Sequence, residues 1–190
     1  DEFLDIKKSK DKTKVLKELT FCIFTPQSKA ENCWYAVEIL DKKGLLEIPV
    51  EEEISKILRG LVRFHNTKSR FVVNVIKKFD EIYDIVFNEH LCNHEKRLWI
   101  VNNVKGIGFK EATHFLRNIG LMLEDGAIID RHIIRFLENL GINEISKGSI
   151  SPKRYLIIEE KFISLAKNLD LLPVELDFVI WYKQTGRFFK

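Results

Sequence analysis

The chain has 190 residues, 45% of them hydrophobic and only four of them proline, so it is long enough to bury one sizeable core or two small ones. Its 31 basic residues stand against 28 acidic ones and leave a net charge of +3, too little for the whole-chain field to hold a polyanion, so any nucleic-acid site must come from local clustering. Three cysteines, Cys22, Cys33 and Cys92, form an odd set without paired spacing, which argues against a disulfide framework and points to a reducing, cytoplasmic setting. No apolar run approaches the ~20 residues of a membrane span, and "DEFLDIKKSK" lacks a signal-peptide core. The expectation is a soluble chain with no membrane partner. The absent initiating methionine is read as a few missing native residues.

Periodicity reads helical almost throughout. The lysine-rich "KKSKDKTK", interrupted by Asp11, reads as a solvated helix face. Apolar residues then return every three or four positions in "KVLKELTFCIF", "ENCWYAVEIL", "EISKILRGLVRF" and "SRFVVNVIKKF", with breakers at "TPQS", "DKKG" and "FHNT". In "EHLCNHEK", His90, Cys92 and His94 are all possible metal ligands. On a helix, however, only His90 and His94 share a face, and no fourth ligand is near, so no metal site is expected. Helical patterns resume in "RLWIVNNV", in "KEATHFLRNIG" after the break "KGIG", and in "RHIIRFLENL" after "DGA". "AIID" reads as a brief extended lead-in. The weakly helical "GINEISKGSISP" is a candidate joint between lobes, and "YLIIEEKFISLAKNL" and "ELDFVIWYKQ" close the chain around "LLP". At least seven helices of about ten residues follow. The fold class is all-α, with two helical lobes and a cleft between them, and the whole chain, 1–190, forms that single unit.

Lys105-Gly106-Ile107-Gly108 lies between two helical patterns and predicts a tight helix-to-helix connection, the hairpin spanning about 94–119. Glycine permits positive φ and leaves backbone N–H groups uncovered. Together with the positive end of the next helix, those groups suit a phosphate, Lys105 adds charge, and Ile107 can anchor the turn. This is the helix-hairpin-helix pattern, a non-specific grip on the DNA backbone. Standing alone, the same four residues are equally consistent with a simple turn.

Lys110 falls in the first turn of the following helix, where its positive charge opposes the helix dipole. The dipole and partial burial favour the neutral amine, which is the nucleophilic form and the one that makes a Schiff base. An exposed lysine at a helix start is the plainer reading. Asp130 opens "DRHIIRFLENL" and reads as an N-cap. With Gly120 ending the intervening helix as C′, a short return could bring this helix start toward that of Lys110.

The combination "KGIGFKEA" followed by "DRHI" resembles the helix-hairpin-helix superfamily of base-excision DNA glycosylases. Within it, "KEATHFLRNIG", "AIIDRHIIRFL" and the terminal "WYKQTGRFFK" are similar to the archaeal-type, second family of 8-oxoguanine DNA glycosylase/AP lyases. The resemblance runs from about Leu16 onward and is strongest over Gly106–Gly120 and Ala127–Leu137. It implies double-stranded DNA containing 8-oxoguanine as partner; no cofactor is expected, and a monomer is expected because a small DNA-scanning enzyme has no obvious need of a second copy. It also implies that Lys110 attacks C1′ and leaves an imine on the opened sugar, so that the enzyme is a lyase as well as a glycosylase. Asp130 would move protons and stabilise the developing sugar cation, and His132 would approach a DNA phosphate. The four-cysteine iron–sulfur cluster of endonuclease III relatives has no counterpart, since no cysteine follows Cys92. "LMLEDGAII" is slightly longer than the resemblance leads one to expect.

Base extrusion costs a few kcal/mol, recovered by stacking and hydrogen bonds in a pocket. By resemblance Trp181 and Phe64 are the two faces of the base sandwich, although on composition alone each aromatic reads as core. Arg63 would reach the opposite strand, and Lys190 would turn its carboxylate to the purine edge. A backbone carbonyl accepting from N7–H would separate 8-oxoguanine from guanine. The "TPQS" turn is a candidate for it, with Gln27 alternatively filling the gap left by the base, or the turn merely joining two helices. Two non-enzymatic readings remain beside the glycosylase: a helix-hairpin-helix module that binds DNA without chemistry, and a helical protein-interaction domain.

Overall fold

The computed structural model describes residues 2–142 and 150–186. Among these the chain forms eleven helices and no strand: α1 (Glu2–Ser9), α2 (Lys12–Phe24), α3 (Ala30–Lys42), α4 (Glu51–Leu58), α5 (His65–Lys77), α6 (Phe79–Val86), α7 (Asn93–Asn103), α8 (Phe109–Asn118), α9 (Arg131–Asn139), α10 (Pro152–Asn168) and α11 (Pro173–Thr185). The expected helical class is the observed one. No helix among the described residues is long and apolar enough to cross a membrane.

Several local expectations need correction. The lysine-rich segment near the start is a break rather than one helix face: Lys10 takes φ +50° and Asp11 caps α2 by accepting from the Lys14 N–H at 3.0 Å. "FHNT" is not a breaker, because α5 already begins at His65, and the N–H groups of Thr67 and Lys68 both reach the Phe64 carbonyl at 3.0 Å. The true break is Arg59–Phe64, entered through Gly60 at φ +82° and left through Phe64 at φ +60°. His90 precedes α7 and so shares no helix face with His94, whose Nδ1 lies 3.2 Å from Arg97 Nη2.

By internal contacts the chain divides after Gly120 and not at the 141–152 stretch, most of which lies outside the described residues. The first unit centres on α2, whose Leu19, Phe21, Ile23 and Phe24 are fully buried together with Phe115 and Leu116 of α8. Buried polar groups fix the far end of α8: Asn118 Nδ2 donates to Glu18 Oε2 at 2.8 Å, and the Arg117 guanidinium donates to Asn118 Oδ1. Gly120, at φ +78°, closes that end as expected, and a Cβ there would lie 2.5 Å from the Phe3 carbonyl oxygen. The second unit, from Leu121 on, buries Ile133 and Leu137 of α9, Tyr155, Ile158 and Phe162 of α10, and Leu176 and Ile180 of α11.

Candidate active site

The hairpin is held from both sides. Arg97 on α7 is buried, donates to Thr113 Oγ1 on α8 at 3.0 Å, and lies 5.4 Å from the Phe109 ring centroid. Val104 and Ile107 are buried and anchor the connection. Gly106 is required twice over: its φ is +90°, and a Cβ would lie 2.4 Å from Phe71 Cδ2 on α5. Gly108 has φ −98° and needs no such exception. A Cβ there would lie 3.2 Å from Glu111 Oε2, which folds back to the helix start and accepts the Gly108 N–H at 3.2 Å. The expected cradle of open N–H groups is therefore partly filled by the chain's own carboxylate, and the Ile107 N–H reaches the Val104 carbonyl at 3.3 Å. Lys105 and Gly106 are exposed at the tip.

Lys110 sits on the first turn of α8 as expected, its side chain 31% exposed and its Nζ 3.2 Å from Glu111 Oε1. Glu111 is a site residue absent from the sequence expectation, although a glutamate three residues after a helix cap is a legible signal. A second lysine stands apart from it. Lys68, 5% exposed, donates to the Phe24 and Pro26 carbonyls, each at 2.7 Å, and to Ser28 Oγ at 3.3 Å. Burial lowers its pKa to about 8; Cys33 and Glu111 oppose that shift and Lys110 adds to it. The Phe24 carbonyl also receives the Cys33 thiol, so the two carbonyls that Lys68 reaches, that of Phe24 just before "TPQS" and that of Pro26 within it, are already engaged.

Lys68 thereby fixes the turn that carries Gln27, an exposed residue at φ +58°. Ser28 Oγ of the same turn accepts the Arg63 N–H at 2.9 Å, which brings the Gln27 turn beside Arg63 and Phe64. The Phe64 ring is exposed and lies 5.3 Å from the Arg63 guanidinium carbon.

In the second unit Asp130 is the N-cap of α9, as expected. Its Oδ1 alone accepts both the His132 N–H at 2.8 Å and the Ile133 N–H at 3.0 Å, leaving Oδ2 outside the cap. The extended lead-in is pinned from α10: Tyr155 Oη donates to the Ala127 carbonyl at 2.6 Å and accepts the Ile129 N–H at 3.3 Å, while Glu159 Oε1 accepts the Ala127 N–H at 3.0 Å. Periodicity alone marks Tyr155 and Glu159 only as helix residues. The His132 ring meets Trp181 edge-on, with centroids 4.9 Å apart, and its Nδ1 contacts Gln184 Oε1. Trp181 Nε1 is buried without a hydrogen-bond partner among the described residues. Lys190 lies outside the described residues.

An all-helical chain with a glycine-turned helical hairpin, a lysine on the first turn of its second helix and an aspartate capping a later one belongs to the helix-hairpin-helix class. The family described as 8-oxoguanine DNA glycosylase matches residues 1–171. A Fusobacterium nucleatum protein named 8-oxoguanine DNA glycosylase/AP lyase is 40% identical over 193 residues, covering 100% of this chain and 88% of that protein. One of the same name from Methanocaldococcus jannaschii is 41% identical, over 96% of this chain and 86% of its own length. Among solved structures, the M. jannaschii 8-oxoguanine glycosylase/lyase in complex with 15mer DNA containing 8-oxoguanine superposes with a TM-score of 0.88 at 35% identity, covering 100% of this chain and 88% of that one. The Thermotoga maritima 8-oxoguanine DNA glycosylase gives 0.86 at 33% identity, covering 100% and 88%. The chain belongs to the 8-oxoguanine DNA glycosylase family.

Proposed function

We propose that this protein excises 8-oxoguanine from double-stranded DNA and cleaves the strand at the resulting abasic site, with Lys110 as nucleophile. The observation that carries the assignment is a part-exposed lysine on the first turn of the hairpin's second helix, where a purely structural position would favour an acidic residue. The neutral amine of Lys110 adds to C1′ as the C1′–N9 bond breaks, its electron pair leaving with the base, which takes up a proton. The adduct nitrogen then loses one proton, and its lone pair opens the C1′–O4′ bond as O4′ takes up a proton, which gives a protonated imine. The imine acidifies the C2′ proton, and its removal expels the 3′ phosphate by β-elimination.

Asp130 acts on the same sugar: Oδ1 is spent on the cap, and Oδ2 carries protons and faces the developing positive charge. Lys105, Gly106 and Gly108 form the backbone grip, in which a phosphate displaces Glu111 from the Gly108 N–H. His132 meets a further phosphate. Phe64 and Trp181 stack on the base, Arg63 and Gln27 occupy the opposite strand and the vacated gap, and Lys190 reads the purine edge. The protein works as a monomer in the cytoplasm, at the chromosome.

The test is a duplex carrying one 8-oxoguanine. Release of the base together with a 3′ unsaturated aldehyde, and neither product from the guanine duplex, is the expected outcome. Tight, salt-dependent binding with no base release would leave a binding module in its place.

A further inference from the structure

Gln184, which none of the roles above uses, constrains the chemistry of His132. Its Nε2 donates to the His132 carbonyl at 3.0 Å, and a carbonyl can only accept, so the orientation of the amide is set by that bond. The other end of the same amide, Oε1, then faces His132 Nδ1 at 2.5 Å. An amide oxygen also only accepts, so Nδ1 must carry a proton. A neutral imidazole has one N–H, which leaves Nε2 with a bare lone pair. A phosphate oxygen is likewise an acceptor and gains nothing from that lone pair.

We propose that Gln184 is a positioning residue that makes the DNA contact of His132 proton-coupled: the ring grips a phosphate through Nε2 only as imidazolium, so binding DNA takes up one proton. The proposal rests on the reading of His132 as a phosphate contact. From α11 the ring is faced by Gln184 and Trp181, neither of which titrates; a flipped ring would put the Cδ2–H in place of Nδ1 and forfeit the contact with Gln184 Oε1. From its own helix start the nearest carboxylate is that of Asp130, which accepts the His132 backbone N–H. Arg131 and Arg135 lie on α9 and Lys183 precedes Gln184 on α11. Because Gln184 follows Trp181 by three residues on one helix, the element that carries the candidate base platform also sets the charge state of the phosphate contact.

Two measurements separate this inference from the reading beneath it. Nitrogen-15 NMR of the imidazoles in the free protein, above the titration of His132, should show the proton on Nδ1 in the wild type and a shift toward the Nε2–H form in Gln184→Ala. An Nε2–H tautomer in the wild type overturns the proposal. Affinity for an undamaged duplex is then followed over about pH 5 to 8, the range in which histidine titrates. Relative to His132→Ala, the wild type should lose affinity by up to tenfold per pH unit, the limiting slope for one proton. Gln184→Ala should flatten that slope, because a neutral ring is then free to donate from Nε2. If His132→Ala binds as the wild type does at every pH, the phosphate reading fails. If it binds more weakly but with the same pH slope as the wild type, the proton coupling fails while the phosphate contact stands.

Discussion

The helix starts of α8 and α9 solve the same electrostatic problem in opposite ways. At α9 a carboxylate at the cap position, Asp130, takes two N–H groups directly through one oxygen. At α8 the cap is Gly108, without a side-chain acceptor, and Glu111 must fold back to supply the carboxylate while Lys110 stands unfavourably beside it. The first start is stable as built and has one oxygen to spare. The second carries a local conflict that a DNA phosphate and a sugar would resolve, which is where a reactive lysine is useful.

The largest effect is expected at the α8 start. Lys110→Gln should lower strand cleavage by on the order of 10³-fold or more in single-turnover assays. Its side chain is part-exposed, so thermal unfolding should move by no more than about 0.5 kcal/mol. At the α9 start the expectation is a split. Asparagine keeps an oxygen for the cap, so Asp130→Asn should cost under about 1 kcal/mol of stability, while base release slows by about 10²- to 10⁴-fold. Equal rates for wild type and Asp130→Asn would reduce Asp130 to a cap.

Two further substitutions sharpen the contrast between reactive and structural lysines. Lys68→Met removes the charged donor shared by the Phe24 and Pro26 carbonyls, leaving them the Cys33 thiol and the Ser28 hydroxyl, and should destabilise by about 1.5–3 kcal/mol in denaturant titrations. Gly106→Ala should cost about 1–3 kcal/mol through its positive φ alone, with an added penalty against Phe71 and weaker binding of undamaged duplex. The smallest effect is a pH dependence. The folded pKa of Lys68, about 8, lies below its ordinary 10.5. Between those values the fold binds fewer protons than the unfolded chain. Wild-type stability relative to Lys68→Met should therefore rise with pH across that window, and a fall would contradict the assigned shift.

Much of this was legible in the residues. The helical period marked α2, α3, α8 and α9, the Gly-Ile-Gly spacing marked a turn that needs positive φ at Gly106, and Asp130 before an apolar period marked a cap. What escaped was long-range. Lys68 reads as one more polar residue in "HNTKSR" until the fold sets it against carbonyls more than forty residues away in the chain. Tyr155 and Glu159 pin the extended lead-in across about thirty residues, and Gln184 reaches His132 across fifty-two. The "FHNT" error has a local cause: His, Asn and Thr are indifferent helix formers, and tertiary packing of Lys68, Ser69 and Val72 overrides that preference.

If Lys110 is the nucleophile, its amine bonds covalently to the sugar during turnover. Borohydride added during turnover of an 8-oxoguanine duplex should reduce the imine and leave protein and DNA joined, and proteolysis should place the adduct on the peptide containing Lys110. An adduct mapped to any other lysine, or retained in full by Lys110→Gln, would contradict it.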